Sequence, residues 1–586
     1  MSLLSTCTSQ VTNPSSYGSP SSNTSAESPV TKGSPTHKNP VLPSDTPAVV
    51  DGSARYHDGN LVSPADASQT TSSRNTASWH GYCRATLILR SRMHPDFGAR
   101  VTSLTAEMRC MAQDLFDRYG RLRPEFVHHP VMRGSGLWGM ELSFGDILMI
   151  DQVLTDVSVY YRGKGRAVFN RVLESVKDSD LFIVLTRIKS KKPETLEDGA
   201  REDRLAEARI AFVRSLGFRR VGNTSWFAFS LDPDHRSRQS LPHEDYDPPL
   251  LEYPVTPLFE FAFHIIPWHD ESLAIGFFIN ALRSLHTHQI YWPSMNDCGR
   301  TVMHEAALRI MPTLLNWLMD HAPQLTVHRD STGATPFEAL RGKLDRRRTF
   351  HPDPDQPGAS PDEFLGFTDP EVACLSILDT SIRTDSQLRF GCTCGRCIGG
   401  YLSPRLARRL RLHSWDYYDR LIFEADGHSD PYCALPDSCF HPSNLYMKGV
   451  LHSHTRVMFL ESLSLRLGFA NMFAYLSQCL EYGQLPTDGN MMAYLSTSGH
   501  HGDQAREFLE HGGSFQIIRS IVFDDAAAHS EWAGSGSDRG RSNGDGGGLP
   551  ECRNDLEFIL AERMCNIDSG IFLGQVSAAS QESPGS

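Results

Sequence analysis

The stretch that most constrains the fold is residues 151–176, where a strand pattern runs into a glycine-rich basic turn and then a helix pattern. An apolar run over Phe144–Val159 predicts the strand, and the turn reads Arg162-Gly163-Lys164-Gly165-Arg166-Ala167. The helix pattern puts five apolar residues on one face: Val168, Phe169, Val172, Leu173 and Val176. A glycine-rich turn that opens a helix presents backbone N–H groups at the positive end of the helix dipole, where phosphate binds. The stretch therefore predicts an α/β domain with an anion site.

These residues resemble the GNAT superfamily of acetyl-CoA-dependent N-acetyltransferases. The superfamily motif has Arg or Gln, two residues, Gly, one residue and then Gly or Ala after a strand, and Arg162, Gly165 and Ala167 match it. A later Leu216-Gly217-Phe218 before a strand is similar to the usual ending of the superfamily. The resemblance covers residues 84–230 and implies acetyl-CoA binding and acetyl transfer to an amine. The alternative is an unrelated α/β domain with a basic turn.

The resemblance also implies site residues. The expected cofactor-binding residues are Val157, Val159, Arg162, Gly163, Lys164, Gly165, Arg166 and Ala167. Asp151 and Asp156, on the strand that enters the turn, are the candidate general bases, with solvent-facing carboxylates as the alternative. The superfamily's usual proton donor is a Tyr four residues before the Gly of Gly-Phe, and Val213 occupies that position. Tyr160 and Tyr161 are misplaced substitutes, so cofactor binding is better supported than turnover.

An internal repeat follows after residue 250. The string from Asn296 to Ala307 recurs from Asp330, an offset of 34 residues, and each copy contains a Gly-x-Thr element. The copies resemble the ankyrin signature Gly-x-Thr-Pro-Leu-His-x-Ala, and Thr256-Pro257-Leu258 looks like an earlier copy. Two or three ankyrin repeats would form a surface that binds a protein partner. The alternative is a generic helical domain.

A cysteine cluster lies further along the chain. Cys392, Cys394 and Cys397 fall within six residues beside glycines, which suits a zinc ion that needs a fourth ligand. The candidates for that fourth ligand are Cys433, Cys439, His441, His452 and His454. The alternative is that the cysteines are buried as small apolar side chains in a turn. This segment and the Leu549-Pro-Glu-Cys stretch resemble filamentous-fungal ankyrin proteins.

Composition narrows the partners and the compartment. The net charge of −13 leaves no global basic field, and no DNA-reading motif is evident, so we expect no direct nucleic-acid binding. Apolar runs fall far short of 18 residues, which predicts no membrane association. The first residues lack a basic and an apolar signal region, and the 13 cysteines are scattered. We therefore expect reduced thiols and a nuclear or cytoplasmic protein that is not secreted.

The sequence as a whole predicts a multidomain chain in which an α/β domain precedes all-α repeats and a mainly helical C-terminal region. The expected segments are a disordered tail (1–78), a GNAT-like domain (80–231), a linker (232–249), ankyrin repeats (250–345), a loop (346–361), a helical region with the cysteine cluster (362–530), a low-complexity loop (531–550) and a C-terminal segment (551–586).

These features together favour a regulatory interaction protein. Its expected role is an ankyrin-repeat transcription coregulator of a fungal secondary-metabolite gene cluster, because the resemblance to fungal ankyrin proteins implies that role. The GNAT-like domain would bind acetyl-CoA and acetylate a protein lysine. The alternative is an active N-acetyltransferase that acts on a small-molecule amine.

Overall fold

Strand alternation and helix periodicity place one mixed sheet early in the chain and helices after it. In the computed structural model, the described residues are 49–57, 60–62, 81–90, 93, 97–102, 105–155, 164–175, 181–188, 196–248, 257–266, 270–284, 291–349, 363–379, 381, 383–426, 458–459, 462–528 and 548–567. All of them belong to one compact unit that begins at Ala48. We call residues 49–248 the α/β part, residues 257–389 the repeat part and residues 390–567 the C-terminal part.

The strands of the α/β part form a seven-stranded sheet within the described residues, in the order β2-β1-β3-β4-β5-β7-β6. The strands are β1 (Val49–His57), β2 (Asn60–Val62), β3 (Gly81–Ile88), β4 (Asp146–Thr155), β5 (Leu181–Arg187), β6 (Arg219–Arg220) and β7 (Trp226–Ser230). Among the strands that the structure describes, only β4 and β5 pair in parallel, over Asp146–Ile150 of β4. A parallel pair needs a crossover connection, and helix α4 (Lys164–Ser175) lies in it.

Side-chain alternation along β4 divides the α/β core between the two faces of the sheet. Ile147 and Met149 pack on one face with α1 (Phe97–Thr102), α2 (Ala106–Leu115) and α3 (Glu125–His128). Leu148 and Ile150 pack on the other face with α4 and with α5 (Leu196–Leu216). A short helix, α6 (Arg236–Gln239), ends the part. Helix α4 and the α1–α3 layer therefore lie on opposite faces of the sheet.

Matched turns begin two helices of the repeat part. The side-chain oxygen of Asn296 accepts from the N–H groups of residues 298 and 300, and that of Asp330 accepts from those of residues 332 and 334. Gly299 and Gly333 both have positive φ, 68° and 76°, which a side chain would disfavour. The helices are α7 (Pro257–Ile265), α8 (Glu271–Ser284), α9 (Val302–Leu308), α10 (Pro312–His321), α11 (Pro336–Thr349), α12 (Asp369–Leu378) and α13 (Asp385–Arg389). The predicted internal repeat is thus present as a repeated turn-helix unit.

The C-terminal part is a helical bundle around α15 (Leu463–Glu481), whose side chains are mostly buried. The other helices are α14 (Pro404–Asp426), α16 (Asp488–Thr497), α17 (His500–Glu510), α18 (Phe515–Ala528) and α19 (Phe558–Asn566). Gly468 lets α15 approach α17 closely, because a Cβ there would lie 2.1 Å from the Gln504 carbonyl oxygen. None of the helices described is both long and apolar enough to cross a bilayer.

Three segments differ from the sequence-based expectation. β1 and β2 lie inside the segment 1–78, which was predicted to be a disordered tail. β1 pairs with β3 through main-chain hydrogen bonds, and amino-acid composition carries no information about such pairing. The expected linker, 232–249, is fixed to the α/β part, since buried Asp245 accepts from Arg214 and from the Arg220 N–H. α12 belongs to the core of the repeat part and not to the helical region behind it.

Candidate metal centre and the other predicted sites

Four cysteine sulfurs meet where the repeat part joins the C-terminal part. The Sγ atoms of Cys392, Cys394, Cys397 and Cys552 all lie within 4.8 Å of one another. Neighbouring Sγ atoms are separated by 3.7 Å (392–394), 3.8 Å (394–397) and 3.4 Å (397–552). Tetrahedral zinc with Zn–S bonds of about 2.3 Å gives S–S edges of about 3.8 Å, while a disulfide bond measures about 2.05 Å. The four free thiols therefore have the spacing of a metal site.

Backbone N–H groups of the loop point toward the sulfurs. The N–H of Gly395 donates to Cys392 Sγ at 3.2 Å, and that of Arg396 donates to Cys394 Sγ at 3.4 Å. Across the cluster, the N–H of Thr393 donates to Cys552 Sγ at 3.4 Å. Such donors stabilise thiolate sulfur and orient it toward a cation, as the outer shell of a metal site does.

Burial makes the thiolate charge costly without a cation. The side chains of Cys392, Cys397 and Cys552 are at most 7% exposed. Hydrogen bonds from Cys397 and Cys552 hold the pKa of Cys392 far below its ordinary value, whereas burial raises the pKa of Cys394 to about 12. One ionised thiol thus opposes ionisation of its neighbours. A divalent cation removes that opposition, because it offsets the charge of all four sulfurs.

The structure brings the three predicted ligands together and adds a fourth that the sequence reasoning did not select. Cys552 follows Cys397 by 155 residues and lies in the Leu549-Pro-Glu-Cys stretch. The five predicted candidates for the fourth ligand, Cys433, Cys439, His441, His452 and His454, lie outside the described residues. One signal in the sequence could have pointed to Cys552. The Leu549-Pro-Glu-Cys stretch and the Cys392–Cys397 segment were both noted for the same resemblance to fungal ankyrin proteins.

The predicted cofactor turn is described only in part. Val157, Val159, Arg162 and Gly163 lie outside the described residues, as does Asp156. Lys164, Gly165, Arg166 and Ala167 form the first turn of α4, and the Arg166 and Ala167 side chains are exposed. The Arg166 guanidinium donates to the Ser215 carbonyl in the last turn of α5, where a cation complements the helix dipole.

The other candidate base, Asp151, lies on β4 just beyond the end of its pairing with β5. One carboxylate oxygen of Asp151 accepts from Thr86 Oγ1 at 3.3 Å. Burial, together with the charge of Asp151, raises the pKa of the Cys83 thiol to about 12. Val213, at the position of the expected Tyr, is buried in the core. Tyr160 and Tyr161 lie outside the described residues.

The residues that meet in space are therefore the four cysteines, at mutual distances that suit a metal ion. Of the predicted cofactor turn, the structure describes only the residues that begin α4. Of the two candidate general bases, it describes only Asp151. No protein-family model, curated protein or solved structure matches the chain. Residue chemistry and geometry alone therefore support the functional assignment.

Proposed function

We propose that Cys392, Cys394, Cys397 and Cys552 bind one zinc ion and that this ion is structural. The observation that carries the proposal is the set of four sulfurs within 4.8 Å of one another. Four thiolates fill a tetrahedral zinc shell and leave no open position for water or substrate, which is the pattern of structural zinc. Soft thiolate ligands also favour zinc over magnesium or calcium.

The ion would join two segments that are distant in the sequence. Cys392–Cys397 belongs to an irregular loop, and Cys552 belongs to a turn before α19. Neither segment has regular secondary structure, so side-chain and metal contacts must fix their positions. The centre would stabilise a helical scaffold and would not perform chemistry on a substrate.

Metal analysis of the purified full-length protein tests the proposal. We expect about one equivalent of zinc per chain, and a value below about half an equivalent would rule it out. Cys552→Ser should lose the metal. Cys298→Ser should keep it, because Cys298 is an exposed cysteine outside the cluster.

As a second function we propose acetyl-CoA binding at the N-terminus of α4, on the resemblance to the GNAT superfamily. The supporting observation is that β4 runs on to Thr155 while its pairing with β5 ends at Ile150. The two strands part at the end of β4 that leads to α4, and in the superfamily a backbone N–H of the central strand polarises the thioester carbonyl. The N-terminus of α4 would supply N–H donors for the cofactor phosphates.

Calorimetric titration with acetyl-CoA tests this second function. We expect binding to the wild type, and at least about tenfold weaker binding to Arg162→Glu because a carboxylate would repel the pyrophosphate. Arg171→Glu is the matched control, since Arg171 is an exposed arginine further along α4. Absence of wild-type binding would refute the proposal.

For the whole chain we propose a nuclear or cytoplasmic interaction protein, with the role of a transcription coregulator of a fungal secondary-metabolite gene cluster. Ankyrin-type repeats would bind its protein partner. The matched turns support such repeats, as does His304, which bridges Thr301 Oγ1 at 2.9 Å and the Ala334 carbonyl of the next unit at 3.0 Å. The alternative remains a small-molecule N-acetyltransferase, and transfer to a small amine but to no lysine peptide would favour it.

A further inference from the structure

The turn that carries the fourth thiol also holds the α/β part. We call residues Cys552–Glu557 the clasp segment. Tyr119 Oη donates to the Leu556 carbonyl at 2.8 Å, although the two residues are 437 positions apart. Arg553 lies 3.4 Å from the Glu125 carboxylate, and Arg118 lies 3.9 Å from that of Glu557. The clasp segment therefore contacts the α/β part through hydrogen bonds and partly buried ion pairs.

The same segment holds the repeat part through α11. Arg553 pairs with Asp345 at 2.9 Å, and Arg348 lies 3.4 Å from Glu557. Arg348 also donates to the Asn554 side chain at 2.9 Å. The side chains of Asp345, Arg348 and Glu557 are 3%, 4% and 7% exposed. Because these charges are buried, losing a partner would be costly, and the contacts constrain the position of α11.

The clasp segment is anchored to the C-terminal part around the metal centre and by Leu556, which packs in the core of that part. Cys552 contributes its thiol, and Asn554 donates to Cys397 Sγ at 3.6 Å and to the Gly400 carbonyl at 3.1 Å. Ser403 donates to Asp555 at 2.7 Å. Two of these anchors, at Cys552 and Asn554, include a sulfur of the cluster. The position of the segment thus depends on how the four sulfurs are held together.

We infer that metal binding at this centre controls the docking of the Arg118–Glu125 region of the α/β part onto the clasp segment, an inference that rests on the proposed zinc function. With the ion bound, the clasp segment presents Arg553, the Leu556 carbonyl and Glu557 as a fixed docking surface. Loss of the ion removes the bonds that join Cys552 to the three cysteines of the loop, and the segment separates from the loop. The α/β part then loses its contacts at Tyr119, Glu125 and Arg118. Helix α4 packs on the opposite face of the sheet and stays in place.

Hydrogen exchange of the full-length protein, followed by mass spectrometry with and without a zinc chelator, tests the inference. We expect chelation to increase exchange at least about tenfold in peptides that cover 117–129, 391–402 and 551–557. Peptides from β4 should not change. Unchanged exchange at 117–129 after complete zinc removal would overturn the inference, and so would an equal increase at β4, which would mean global unfolding.

A docking variant separates the two proposals. Glu125→Gln removes the charge that pairs with Arg553 and is not a metal ligand, so it should keep one equivalent of zinc. It should increase exchange at 117–129 and leave 391–402 unchanged; an unchanged 117–129 peptide would contradict the docking role. Absence of zinc from the wild type would instead refute the proposed function itself.

Discussion

Replacing Cys552 with Ser tests the centre at the ligand that joins the two distant segments. Structural zinc in small domains binds with about 10–16 kcal/mol, so each of four equivalent ligands contributes about 2.5–4 kcal/mol. A serine hydroxyl is a poor ligand beside three thiolates, and most of that contribution is lost. Since about 1.4 kcal/mol corresponds to a factor of ten, zinc affinity should fall by about two to three orders of magnitude. The remaining thiols, Cys392, Cys394 and Cys397, would form an incomplete site.

The assay is competition between the protein and a chromogenic zinc chelator, with thermal unfolding measured in parallel. The wild type and Cys298→Ser should behave alike, because Cys298 is exposed and lies outside the cluster. Cys552→Ser should release zinc to the chelator and lose the stabilisation that added zinc gives the wild type. If Cys552→Ser retained wild-type affinity, Cys552 would not be a ligand and the reasoning from sulfur geometry would be refuted.

Three further predictions concern packing and charge. Arg348→Ala should lower the free energy of unfolding, measured in urea titrations, by about 3 kcal/mol, because it leaves the buried Glu557 carboxylate without its nearest cation. A loss below about 1 kcal/mol would contradict a stabilising role for this ion pair. Burial lowers the pKa of His304 in the folded chain. Below about pH 6.5 the unfolded chain therefore binds a proton at His304 that the folded chain does not, and the free energy of unfolding should fall as the pH drops. Urea titrations at several pH values should show a weaker dependence in His304→Gln, and an identical dependence would rule out His304 as its source. Gly468→Ala should cost about 1–3 kcal/mol and lower the melting temperature, whereas Gly489→Ala, whose Cβ meets nothing within 4 Å, should not.

Local patterns in the sequence predicted those features that local interactions determine. The Gly-x-Thr turns of the repeat form through hydrogen bonds within five residues, so the 34-residue offset predicted matching turns correctly. The apolar run likewise predicted β4, and the glycine-rich turn predicted the start of α4. These features need no knowledge of distant residues.

Features that depend on distant residues escaped the sequence reasoning. Cys392, Cys394 and Cys397 lie within six residues and were predicted together, but Cys552 comes near them by tertiary folding alone. The predicted candidates for the fourth ligand, from Cys433 to His454, all lie within about sixty residues of Cys397, where cysteines and histidines are frequent. β1 was missed for a similar reason, since its polar composition suggested a tail while its main-chain pairing with β3 defines a strand.

The separation of Cys397 from Cys552 also has a consequence for protein synthesis. At about 5–20 residues per second, a ribosome takes about 8–30 s to add the 155 residues between them. During that interval the nascent chain carries three closely spaced thiols without their partner. If the four cysteines bind zinc as proposed, correct assembly requires the cell to keep these thiols reduced and available until Cys552 emerges. The yield of native protein then depends on the supply of zinc during translation.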